Sequence, residues 1–177
     1  LKGAISREEA EELFKNYKDY IYRSAFFLTQ SRELAEDITQ EVFIKVIVYY
    51  HTYNEHKPIQ PWLYKIMLNV THTTMKKQRY GFTLETIFNT PSKDNVEISI
   101  LDNEMNQELW YIISKLPLKM KEVLYMHYYL EMKLETIAEV LEIPVGTCKS
   151  RLNTGLNKLR KNKSIPILNY RRERQIE

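Results

Sequence analysis

At 177 residues the chain has room for one ordinary domain or two small ones. Apolar residues at 44% beside 28% charged are the balance of a folded chain and exclude an intrinsically disordered one. No apolar run approaches the roughly 20 residues that cross a bilayer, no N-terminal signal pattern is visible, and a single cysteine excludes an internal disulfide framework. A reducing cytoplasm and no direct membrane insertion are therefore expected.

Four glycines, six prolines and the lack of alternating strand patterns predict an all-α fold. Ser6-Arg7-Glu8-Glu9 is a capping box, and Glu8, Glu9, Glu11 and Glu12 suit the positive end of a helix dipole. Apolar residues at Leu13, Phe14, Tyr17, Ile21, Ala25 and Leu28 carry this first helix. Ser31 caps a second, which runs through Leu34, Ile38, Val42, Phe43, Val46 and Ile47 and loses its pattern near Tyr50-His51. A turn-prone loop with Asn54, Pro58 and Pro61 follows. A third helix begins around Trp62 and carries Leu63, Ile66, Met67 and Val70 into Lys76-Lys77-Gln78-Arg79.

Periodicity lapses over 81–103, a segment with Gly81, Pro91, Ser92, Asp94 and Asn95 that reads as a flexible linker between two small helical domains, 1–80 and 104–163. In the second domain the pattern resumes at Leu109, Ile112 and Ile113, breaks at Leu116-Pro117, and returns in Val123, Leu124, Met126, His127 and Leu130. Two short helices then flank Ile143-Pro144, with apolar positions Leu134, Ile137, Ala138 and Leu141 before it and Val145, Cys148, Leu152, Leu156 and Leu159 after it. Residues 164–177 form a basic tail, with Ser164-Ile165-Pro166 ending the last helix.

Charge is unevenly spread along the chain. Residues 1–61 hold 8 basic and 10 acidic side chains, 62–80 hold 4 and none, 81–143 hold 5 and 11, and 144–177 hold 9 and 2. Two basic blocks, each behind an acidic one, suit two polyanion-binding surfaces with acidic faces left for protein partners. Solvated surface without a partner fits the same distribution.

Three constellations stand out. Asp37, Gln40, Glu41 and Lys45 share one helix side by three- and four-residue steps, which fits either a partner-binding face or a solvated salt-bridge lattice. Trp62-Leu63-Tyr64-Lys65-Ile66-Met67-Leu68-Asn69 mixes aromatics, an amide and a cation just after Tyr49, Tyr50 and Tyr53. Unstacked nucleic-acid bases are held by rings and amides of this kind, although Trp62 and Tyr64 also fit a core. In the last helix, Ser150, Asn153, Thr154 and Asn157 point away from the apolar stripe with Lys149 and Lys158 at the flanks. Hydrogen-bonding groups for base edges flanked by cations for phosphates are what a major-groove helix needs, and a plain helical hairpin fits the pattern as well. His51, His56, His72 and His127 lack metal-ligand spacing, and no phosphate loop or nucleophile motif occurs, so neither cofactor nor catalytic site is expected. Cys148 sits on the apolar stripe as a small filler.

Taken in order, these segments resemble the bacterial RNA polymerase sigma factors of the extracytoplasmic-function group. The likeness rests on Leu28-Thr29, Ala35-Glu36-Asp37, Gln40 through Lys45, Trp62 through Ile66 and Asn69, then Leu116-Pro117, Val123-Leu124, Ile137 through Leu141 and Val145 through Leu152. It implies a two-domain initiation subunit with three binding faces and no enzymatic activity. Asp37, Gln40, Glu41 and Lys45 would grip the clamp of the largest polymerase subunit. Trp62, Lys65, Asn69, Lys76, Lys77 and Arg79 would open and read the minus-ten promoter element, Asn69 facing a flipped-out base. Thr147, Lys149, Ser150, Arg151, Asn153, Thr154 and Lys158 would bind the minus-thirty-five element as duplex DNA. An anti-sigma protein is the expected regulator. Glu142 and Pro144 stand where relatives often carry Gly and a capping Ser, and Asn153 and Thr154 replace larger residues. A stand-alone helix-turn-helix regulator with an N-terminal sensing module would share the hairpin but leave Asp37–Lys45 and Trp62–Asn69 unexplained. A nucleic-acid enzyme with a DNA-binding tail lacks the motifs it would need.

Overall fold

The computed structural model describes residues 5–85 and 110–161 as helices joined by short turns, with no strand among them. The chain divides into two compact units: the helices before residue 86 fall in the first, which also takes in Ala138–Glu142, and the other described residues after 109 fall in the second. Most of the expected linker, residues 86–103, and all of the 164–177 tail lie outside the described residues.

Helix α1 spans Arg7–Thr29 and starts on the capping box: Glu9 N donates to Ser6 Oγ at 3.1 Å and Ser6 N to Glu9 Oε2 at 2.9 Å. Both are otherwise orphaned helix-start donors. It ends at Gln30, whose left-handed φ of 58° turns the chain back while its N–H donates to Phe26 O. Helix α2, Arg32–Tyr49, follows at once, with Leu34 N donating to the Ser31 hydroxyl. A single 3-10 turn, Tyr50–Thr52, leads into the loop before helix α3, Ile59–Glu85. That helix starts three residues ahead of Trp62 because Pro61 is tolerated in a first turn, where backbone N–H groups have no intrahelical partner.

The three helices pack pairwise. Ile21, Ala25 and Leu28 of α1 meet Ile38, Val42 and Val46 of α2 and Leu63, Met67 and Val70 of α3 in a core that excludes water. Three aliphatic hydroxyls inside this core are satisfied within their own helices: Ser24 donates to Tyr20 O, Thr39 to Ala35 O and Thr71 to Met67 O.

In the second unit a helical segment over 110–114 turns at Leu116-Pro117 into α4, Leu118–Tyr128. Helix α5, Leu134–Leu141, and helix α6, Val145–Lys161, form the hairpin. Helix α4 packs on α6 at close range. A Cβ at Gly155 would stand 3.0 Å from Leu124 Cδ1 and 3.5 Å from Met120 Cβ, so the missing side chain is what lets the two helices approach. The buried stripe of α6 is Cys148, Leu152, Gly155 and Leu159. Val145, expected on that stripe, is 42% exposed.

Candidate nucleic-acid interface

Helix α6 separates its residues cleanly by face. Lys149, Ser150, Asn153, Thr154 and Lys158 are exposed, Thr147 and Arg151 are half-buried at its margin, and the stripe of Cys148, Leu152 and Leu159 anchors the opposite side. Glu142 fixes the turn before it with φ 53°, the left-handed backbone a glycine would adopt. The hairpin therefore turns without the expected glycine, at the cost of some Cβ strain. Burial raises the pKa of the Cys148 thiol, an effect that Arg151 opposes and Glu135 reinforces. A buried, protonated thiol packs as an apolar group and is a poor nucleophile.

The N-terminal basic block lies on α3. Asn69, Lys76 and Lys77 are exposed and Lys65 is half-buried; the Arg79 backbone belongs to the helix, but its side chain is outside the described set. Trp62 is half-buried in an aromatic cluster, its ring centroid 5.3 Å from Tyr53 and 6.3 Å from Tyr50. Its indole N–H donates to Thr52 Oγ1 at 3.2 Å, which ties the start of α3 to the 3-10 turn. Tyr53 donates to Lys57 O at 2.8 Å, and Asn54 Oδ1 accepts from His56 N at 3.0 Å, giving the loop an internal scaffold. Tyr64 is wholly buried, so of the two roles open to it, base platform or core, the structure gives it the core. It falls on the same side of the helix as the buried Met67 and Leu68, three and four residues on.

On α2, Asp37, Gln40 and Glu41 are exposed along one side, and Lys45 pairs with Glu41 at 3.1 Å. Both partners are partly exposed, so the pair orients side chains more than it stabilises the helix. Sequence reading missed the apolar continuation of this side: Ile44 is 58% exposed and Val48 58%. Ile44 stands three residues after Glu41 and Val48 three after Lys45, which was the available sign. Beside it, Phe14, Phe43 and Ile47 line a groove of about 580 Å³ between α1 and α2. Among the described residues, no group of three or more His, Cys, Asp or Glu side chains is placed to hold a metal ion, and no helix is long and apolar enough to cross a membrane.

Residues 13–80 match the sigma-70 region 2 family and residues 106–159 the sigma-70 region 4 family. The chain is 32% identical, over 82% of its length and 83% of the relative's, to the ECF RNA polymerase sigma factor SigW of Bacillus subtilis strain 168. It is 24% identical, over 80% and 87%, to the ECF RNA polymerase sigma factor SigM of the same organism. Its fold is similar to that of the sigma factor RpoE of Bartonella quintana, solved in complex with the anti-sigma factor NepR, at TM-score 0.68, 18% identity and coverage of 85% and 94%. It is similar also to CnrH in complex with the cytosolic domain of CnrY, at TM-score 0.63, 15% identity and coverage of 88% of both chains.

Proposed function

Because this chain belongs to the extracytoplasmic-function group of RNA polymerase sigma factors, we propose that it grips core polymerase through α2 and reads promoter DNA in two strand states. The chain is a promoter-directing subunit, and it acts without catalysis of its own, in the cytoplasm. Asp37, Gln40, Glu41 and Lys45 engage the clamp of the largest polymerase subunit. Helix α3 captures the opened minus-ten strand: Asn69 presents an amide to an unstacked base, Trp62 supplies a ring at the helix start, and Lys65, Lys76, Lys77 and Arg79 follow the phosphates. Helix α6 lies in the major groove of the minus-thirty-five duplex with Lys149, Ser150, Asn153 and Thr154 at the bases or backbone and Thr147, Arg151 and Lys158 at the margins. Domain boundaries at 1–80 and 104–163, joined by the 81–103 linker, let both elements be engaged at once.

The observation that carries this reading is the exposed polar face of α6 set against a fully apolar opposite side. A stand-alone regulator would leave the region 2 match over 13–80 without a purpose. An anti-sigma protein is the proposed regulator, supported by the fold's likeness to a sigma factor solved with one. Run-off transcription with core polymerase on a promoter library tests the whole reading. Promoter-specific transcripts that need this protein are expected; a chain that neither co-elutes with core polymerase nor supports any transcript ends it.

A further inference from the structure

Glu142 makes a contact that the promoter-binding roles leave unexplained. Its carboxylate Oε1 accepts from Lys65 Nζ at 2.6 Å, across 77 residues of chain. Arg7–Glu11 and Lys45–Glu41, by contrast, each pair across one turn of a single helix. Both Lys65 and Glu142 lie in the first compact unit, which takes in Ala138–Glu142 as well as α3. The pair is charged at neutral pH, because the hydrogen bond and the positive charge of Lys65 hold the Glu142 carboxyl below the ordinary carboxylate range. Glu142 also sits on a left-handed backbone, φ 53°, that a glycine would adopt with less strain, so the carboxylate is present at a cost in backbone energy.

Lys65 stands one helical turn before Asn69, on the same side of α3. A lysine ammonium has three donors and no acceptor, and carboxylate and phosphate oxygens are equivalent partners for it. While Glu142 holds it, this ammonium has less to offer a phosphate beside Asn69. The two side chains are 42% and 74% exposed, so the pair has only the strength of a surface ion pair. A strand of DNA whose next phosphates are held by other cations can break it, but must break it to reach Lys65.

Resting on the assignment of Lys65 to minus-ten phosphates, we propose that Glu142 is an intramolecular substitute for a DNA phosphate. In the free chain it occupies Lys65, and a single strand entering beside Asn69 displaces it.

A carbodiimide, which joins an amine to a carboxylate only where they touch, tests the contact in the full-length chain. Mass spectrometry should find a Lys65–Glu142 cross-link without DNA, and the cross-link should fade as a single-stranded minus-ten oligonucleotide is added. Affinity for the same oligonucleotide tests the consequence. Glu142→Gln and Glu142→Gly should each bind it about two- to fivefold more tightly than wild type, the range open to a surface ion pair. Glu139→Gln removes an exposed acid three residues away and should produce no such gain. In a Lys65→Gln background the gain from Glu142→Gln should vanish. Absence of the cross-link, its persistence at saturating DNA, an equal gain from Glu139→Gln, or a gain that survives Lys65→Gln overturns this inference alone. If Lys65→Gln by itself leaves the affinity unchanged, the assignment of Lys65 to phosphates fails and the inference fails with it.

Discussion

Cys148 shows how a single residue reports its surroundings. Its place on the α6 stripe was legible from three- and four-residue spacing, and the structure buries it completely. Desolvation raises its thiol pKa above the ordinary value of about 8.5. The folded thiol thus keeps its proton to higher pH than the unfolded one, so the unfolded chain ionises first. The associated stability is complete below about pH 8.5 and declines as pH rises past it. Urea unfolding at pH 7.5 and pH 9.5 should show a larger loss for wild type than for Cys148→Ala, and the native thiol should react with an aromatic disulfide reagent only after denaturation. On α2, the exposed carboxylates Asp37 and Glu41 contribute little to folding, so the double reversal Asp37→Lys with Glu41→Lys should leave the melting temperature within a few degrees. Co-elution with core polymerase should nevertheless fall at least tenfold. What spacing could not tell at this scale was Tyr64. An aromatic beside cations resembles a base platform, and only the packing of α3 identifies it as core.

Helix ends and helix contacts set the next level. Among the described residues, Gln30, Glu131 and Glu142 adopt positive φ without being glycine, each at or just beyond a helix end. Relief of Cβ strain at Glu142 outweighs the entropy a glycine adds to the unfolded chain, so Glu142→Gly should stabilise by about 0.5–1 kcal/mol in thermal melts. A loss of stability would mean that the Glu142 side chain contributes more than the strain costs. The departure from the usual glycine was visible in the sequence; that the backbone keeps the glycine geometry was not. Gly155 is the reverse case, since nothing in the sequence distinguished it from an ordinary helix-weakening glycine. Gly155→Ala should be close to neutral, the gain in helix propensity offsetting a small shift of the flexible Leu124 tip. Gly155→Leu must push α6 off α4 and should cost roughly 1–3 kcal/mol. It should also weaken duplex binding without touching DNA, which filter binding on a minus-thirty-five duplex would record.

For the whole molecule, the division of labour predicts separable defects. Asn69→Ala should reduce capture of forked minus-ten templates several-fold and leave binding to the upstream duplex intact. Lys149→Ala should weaken the duplex and lower the salt dependence of that binding by about one unit of slope. Gel shifts on forked and fully paired templates at several salt concentrations separate the two, and exchanged phenotypes would reverse the assignment. The basic residues of 62–80 fall on α3, and five of the nine basic residues of 144–177 fall on α6.

Local rules of capping, periodicity and turn chemistry act over a few residues, so the helices, their starts at Ser6 and Ser31 and the polar face of α6 could be read from the chain before any coordinates. Packing acts between residues distant in sequence. It alone decided that Tyr64 is interior, that Ile44 and Val48 face outward beside Glu41, and that Gly155 sets the seat of α6. An apolar side chain can satisfy helical spacing on either margin of a stripe, and which margin is covered depends on a neighbouring helix the local pattern does not contain.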